Sequence, residues 1–141
     1  MTIEEKKERL NYYLELWDDI EIKCQEIETL KSRAEKITST ISSTPGGGKK
    51  QDFSVIVDRI IEIQDRIAQQ VAHADEERRY IETVIESVKS PLHRHVLQRK
   101  YINGDTFEQI AVKENKAYKY IAYVIHPQAL DMINFGNDMT K

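Results

Sequence analysis

From Leu10 onward, apolar residues recur at Leu14, Trp17, Ile20, Cys24, Ile27, Leu30, Ala34, Ile37 and Ile41, always three or four positions apart. Side chains at that spacing share one face of an α-helix, whereas a strand turns every second side chain the other way. A second stripe of the same kind runs through Phe53, Ile56, Ile60, Ile63, Ile67, Val71, Ala74, Arg78, Ile81, Ile85 and Val88, with Arg78 the one break in its apolar register. Neither stretch contains Gly or Pro, and Glu, Lys, Gln and Arg fill the opposite faces. The pattern predicts two helices of about 36 residues, hence about 54 Å long at the α-helical rise.

Between the stripes the composition changes. Thr38-Ser39-Thr40, Ser42-Ser43-Thr44-Pro45 and Gly46-Gly47-Gly48-Lys49-Lys50 read as a flexible connector over residues 38–52, with Asp52 as the N-cap of the second helix. Two helices of matched length joined by a short connector favour an antiparallel, coiled-coil-like hairpin over residues 1–89. Two helices alone bury little. Val57, Ile61 and Val84 widen the second stripe, and Ile22 lies off the first. These extra apolar positions predict a homo-oligomer formed through the hairpin.

Residues 90–141 have a different rhythm. Ser90-Pro91 combines an N-cap with the first helical position, and Leu92, Val96, Leu97 and Tyr101 follow on one face. Asn103-Gly104 tolerates the positive φ that ends a helix. Thr106-Phe107-Glu108-Gln109 fits the capping box, with Phe107, Ile110 and Ala111 inward. Asn115 supplies a tight turn, and a third helix is expected from near Ala117, burying Ile121 and Ile125. The fold class is therefore all-α: the hairpin, then a three-helix head with the size of a helix-turn-helix. In that motif the last helix enters the major groove. Here Tyr118, Lys119, Ala122, Tyr123 and His126 would read base edges, while Arg94, Arg99, Lys100, Lys113 and Lys116 would reach phosphates.

The segment Tyr101-Ile102-Asn103-Gly104-Asp105-Thr106-Phe107-Glu108-Gln109-Ile110-Ala111 resembles the start of the helix-turn-helix in region four of bacterial sigma factors. Continued without a gap, Ile121, Ile125, His126, Ala129 and Leu130 fall where that family's recognition helix has Val, Leu, His, Ala and Leu. The layout of the whole chain, a helical hairpin with a Ser/Pro/Gly-rich connector and this head, resembles the RinA/ArpU-like phage transcriptional regulators. The specific motif covers residues 96–130. The resemblance implies control of late phage genes by promoter binding, with double-stranded DNA as partner and RNA polymerase as a further one. The chain departs from the pattern around the turn and in the last helix. Glu114 and Lys116 stand where the family is apolar, Asn115 replaces a turn glycine, and Pro127 stands in place of an Arg. A proline removes a helical donor and disfavours the α conformation before it, so a kink or stop is expected at His126.

Charge agrees with this division of labour. The chain carries a formal −3, but from Ser90 onward there are seven Lys/Arg against five Asp/Glu, and before it 14 against 19. The head is the candidate surface for a polyanion, and the N-terminal part is not. Cys24 is the sole cysteine, which excludes an internal disulfide and a Cys-based zinc site; on the apolar stripe it reads as a small buried hydrophobe. His93 and His95 lie two apart and would face different directions, and His73 reads as a solvated helix residue, so no metal site is expected. Gly46-Gly47-Gly48-Lys49-Lys50 lacks the first glycine and the Ser/Thr of a phosphate loop. No catalytic constellation or cofactor motif emerges, and the chain reads as a non-enzyme. Met1–Arg9 has no apolar signal-peptide core and no run approaches a membrane span, so a cytoplasmic protein of a bacterial host, with no membrane partner, is expected.

The leading reading is thus a DNA-binding transcription regulator whose hairpin spaces two heads. Two rivals come from other classes. A phage packaging component of the small-terminase type would assemble as a large ring. A helical protein-interaction module without DNA binding would show no salt-dependent DNA affinity.

Overall fold

The computed structural model describes residues 1–41 and 47–136. The described residues are all-helical: α1 (Ile3–Ile41), α2 (Gly47–Glu86), α3 (Pro91–Tyr101), α4 (Phe107–Glu114), α5 (Tyr118–Tyr120), a π-helical segment (Ile121–Ile125) and α6 (His126–Met132). This is the expected helical hairpin followed by a helical head. Contacts gather the chain into two compact units that cut across both long helices, Met1–Glu15 with Ala74–Lys141, and Leu16–His73.

Both long helices begin ahead of their apolar stripes. Thr2 caps α1, its Oγ1 accepting from Glu5 N at 3.1 Å. α1 continues through Thr38, whose hydroxyl donates to the Ala34 carbonyl at 2.9 Å, and α2 begins at Gly47. The expected connector of 38–52 is therefore shorter, and Asp52 lies inside α2 rather than capping it. Once a helix is nucleated each added residue brings a hydrogen bond, so a glycine or β-branched residue at its end weakens it without stopping it. The part of the expected connector at residues 42–46 lies outside the described residues.

The buried lines follow the expected stripes at most positions and depart from them at a few. On α1 the buried residues are Leu10, Tyr13, Leu16, Ile20 and Ile27, so Tyr13, Ile20 and Ile27 follow a heptad. Trp17 and Cys24 fall on the flank and are exposed, which corrects the expectation of a buried cysteine. On α2 the buried line passes through Ile63, Ala74, Ile81, Val84, Ile85 and Val88. Arg78 is exposed, with its Nε 2.6 Å from Glu82 Oε1. The charged residue on the buried line is instead Glu77, half-buried, which takes both arms of Arg9 at 2.6 and 3.2 Å.

In the unit Leu16–His73 the two helices run antiparallel, with Arg59 reaching Glu26 at 3.5 Å. Ile22, Val55 and Ile61 of this unit are exposed. In the other unit the start of α1 and the end of α2 pack with the head. Lys6 Nζ donates to the Leu130 carbonyl at 2.9 Å, and Tyr80 donates to the Phe135 carbonyl at 3.1 Å. Val96, Ile110, Ala111, Ile121 and Ile125 form the head's core, with Leu92 and Phe107 against it.

Candidate nucleic-acid interface

Short-range hydrogen bonds set the head's turns. Gly104, at φ 77°, lets the chain leave α3, and Asp105 N closes on the Arg99 carbonyl at 2.9 Å. At α4 both halves of the capping box are present. Gln109 N donates to Thr106 Oγ1 at 3.2 Å, and Thr106 N donates to Gln109 Oε1 at 2.8 Å. Asn115 ends α4 in the left-handed region, at φ 55° and ψ 48°. Its N–H bonds the Val112 carbonyl at 3.2 Å, and the next N–H, of Lys116, bonds that of Ala111 at 2.9 Å. This is the Schellman arrangement, which satisfies the last carbonyls of α4 and turns the chain sharply into the next helix. Asparagine replaces glycine there because its short polar side chain tolerates the left-handed conformation.

The third helix begins at Tyr118 after Ala117, as expected, but it neither stops nor breaks at Pro127. The π segment absorbs the proline. His126 N–H bonds back five residues to the Ile121 carbonyl, and Pro127 then occupies the first turn of α6, where its missing N–H costs little. A turn closed at i→i+5 takes up more residues than an α turn, so the residues beyond it lag in rotation by about a quarter turn. His126 is carried inward by that lag. Only 6% of its surface is exposed, and its Nε2 lies in hydrogen-bond contact with the Tyr101 hydroxyl at 2.7 Å. His126 is therefore not a base-reading residue, contrary to the expectation from α-helical spacing.

The remaining expected readers stay at the surface. Tyr118, Lys119 and Tyr123 are exposed and Ala122 is half-buried. The rings of Tyr118 and Tyr123 meet edge to face at 6.2 Å between centroids. The neighbouring Tyr123 is the main reason the Tyr118 hydroxyl is held above its ordinary pKa. Tyr120 and Val124 share this exposed surface, and Val112 on α4 is exposed too. Spacing did not single out Val112 or Val124, because an isolated valine looks like core in a sequence.

Most of the expected phosphate contacts are engaged within the fold. Arg94 donates to the Val88 carbonyl at 3.0 Å, closing the end of α2. Arg99 Nε meets Glu114 Oε2 at 2.8 Å, Lys113 meets Asp105 at 2.8 Å, and Lys100 Nζ sits 4.5 Å over the Phe107 ring. Lys116 is exposed, with no ion pair among the described residues. The departure at Glu114 has a structural cause: its side chain is only 11% exposed and is neutralised by Arg99, with His95 Nδ1 at 3.4 Å. Glu114→Ala is expected to destabilise the protein by about 1–3 kcal/mol, because Arg99 is left half-buried without its partner. A double-mutant cycle in urea checks this; additivity of Glu114→Ala and Arg99→Ala would show that the pair is not coupled.

His93 bridges the head differently, with Nδ1 2.6 Å from Ser90 Oγ and Nε2 2.9 Å from Gln128 Oε1. Ser90 thus sits at the N-cap position but spends its hydroxyl on His93 rather than on the helix. Among the described residues no three His, Cys, Asp or Glu side chains gather as a metal site, and no helix is long and apolar enough to cross a membrane. The chain matches no family model, no curated protein and no solved structure.

Proposed function

We propose that this chain is a sequence-specific DNA-binding transcription regulator whose third head helix enters the major groove. The observation that carries the reading is the joint at Asn115. A short capped helix, a Schellman turn and a following helix with Tyr118, Lys119 and Tyr123 exposed on its first turns make a helix-turn-helix with an open reading end. Lys119 supplies a donor for base edges or phosphate. The tyrosine rings supply apolar contact for thymine methyls and hydroxyls for phosphates. Lys116 and Lys119 are the cations of this face with no partner among the described residues, so the electrostatic contribution is small. The affinity should fall with salt at a log–log slope of about −2 per head. The resemblance to phage late-gene regulators favours a phage promoter as operator, with RNA polymerase as the neighbouring partner. A second copy, paired through the exposed Ile22, Val55 and Ile61, would space two heads on two half-sites.

The test is a mobility shift against fragments tiling the gene's own neighbourhood, at two salt concentrations. One discrete fragment is expected to bind, and Lys119→Ala and Tyr123→Ala are each expected to weaken it about tenfold. Equal weak binding to every fragment, unmoved by either substitution, would remove this reading. One specific observation favours a second reading. Arg94, Arg99 and Lys113 are engaged within the fold while Tyr120, Val124 and Val112 are exposed, so the head offers apolar surface as well as cations, as a protein-interaction module does.

A further inference from the structure

The inner side of the third helix borders a cleft of about 340 Å³. Phe107, Tyr118, Tyr123 and His126 bring four rings to it, and Lys7, from the first turns of α1, brings a cation. We propose that this cleft binds a small planar aromatic molecule carrying an anionic group.

The ring geometry favours a flat ligand. Phe107 stands edge-on to His126 at 4.9 Å, with Lys100 over one face of Phe107 and Tyr101 stacked on His126, whereas Tyr118 and Tyr123, edge to face at 6.2 Å, are exposed and available for a further ring to stack or abut. The volume falls at the small end of the range that holds a compact ligand. Among the described residues the charge of Lys7 is paired with Glu4, in an exposed i,i+3 pair at 3.2 Å, which is weak enough for a ligand anion to displace. His126 is more than nine-tenths buried and its Nε2 is hydrogen-bonded with Tyr101, so its ring is a fixed wall of the cleft. Burial, then the charges of Lys7 and Lys100, hold the ring neutral, which leaves the ligand's charge to Lys7.

Ligand occupancy would involve Tyr118, Ala122 and Tyr123, which also stand at the proposed DNA face. An effect of ligand on DNA affinity therefore rests on the function proposed above, whereas ligand binding itself does not. The experiment is titration of the full chain with indole-3-acetate and with 5′-AMP, monitored by saturation-transfer NMR, with the uncharged indole-3-acetamide alongside. Saturable binding of at least one charged probe is expected. The amide should bind about fivefold more weakly than indole-3-acetate where the latter binds. Tyr123→Ala should weaken binding about tenfold and Lys7→Met about fivefold, and Tyr120→Ala should leave it unchanged. Each substituted side chain is exposed or at the rim, so the variants should keep the wild-type melting curve. The proposal is overturned if neither charged probe binds saturably, or if binding ignores both Tyr123→Ala and Lys7→Met. Binding without any change in DNA affinity would leave the cleft standing and count against the DNA reading alone.

Discussion

Replacing Ile121 with alanine is expected to remove about 2–5 kcal/mol of stability, a large share of the roughly 5–15 kcal/mol that holds a typical domain. Ile121 is fully buried in the head core with Val96, Ile110, Ala111 and Ile125. It also anchors the π segment: its N–H bonds the Ala117 carbonyl at 3.1 Å, and its own carbonyl receives the His126 N–H. Its truncation leaves a cavity that the surrounding helices cannot close, because the capping box and the Asn115 turn hold the ends of α4 in place. Val124→Ala, three residues on and exposed, is expected to change stability by no more than about 0.5 kcal/mol. Urea denaturation of the wild type and the two variants measures both effects. Similar midpoints for Ile121→Ala and Val124→Ala would mean that the third helix is not packed in this rotation.

Acidification is expected to destabilise the protein through His126. Its pKa is pushed down to about 4, by burial first and then by the charges of Lys7 and Lys100. In the unfolded chain the ring takes up its proton near the ordinary value of about 6.5. Above that value neither state binds the proton, and the residue adds no pH dependence. Between about 6.5 and 4 the unfolded state binds the proton and the folded state does not, so stability falls as pH falls, by about 2–3 kcal/mol across the window. Below about 4 the dependence levels off. The groups around the ring reinforce this direction. Tyr101, whose own pKa is raised chiefly by burial and then by Glu4, remains a neutral partner, and the two lysines repel an imidazolium. The clean comparison is with Tyr101→Phe/His126→Leu, which removes the titrating ring without orphaning the hydroxyl. Denaturation at pH 7 and pH 4.5 should show a smaller loss in the double variant. Equal losses in the two proteins would assign the acid sensitivity to other groups.

What the sequence alone determined lies within a few residues of itself. The capping box at Thr106 and Gln109, the positive φ at Gly104 and Asn115, and the start of the third helix after Ala117 all depend on hydrogen bonds or steric limits spanning a few positions. They are readable from residue type and spacing. The two long helices were legible for a related reason, since an apolar period of three and four repeated over many turns has one helical solution. Most of their seam was legible too, from Leu10, Ile20 and Ile27 to Ile63, Ala74, Ile81, Ile85 and Val88. Which neighbour turns inward at the remaining positions, Leu16 rather than Trp17 and Glu77 rather than Arg78, depends on what the other helix offers. Arg9 settles the last of these from 68 residues away.

The candidate site divides the same way. That Tyr118, Lys119 and Tyr123 open the third helix could be read from the turn before it. That Arg94, Arg99 and Lys113 are occupied elsewhere could not, because a cation's availability is decided by which carboxylate or carbonyl the fold brings beside it. His126 is the sharpest case. Its spacing from Lys119 places it on the reading face of a regular helix, and a single π turn before Pro127 rotates it into the core. The proline announces some disturbance of the helix, but not its form. Only the packing of Ile121, Ile125, Ala129 and Leu130, with Lys6 of α1 donating to the Leu130 carbonyl across 124 residues, selects a wider turn over a break.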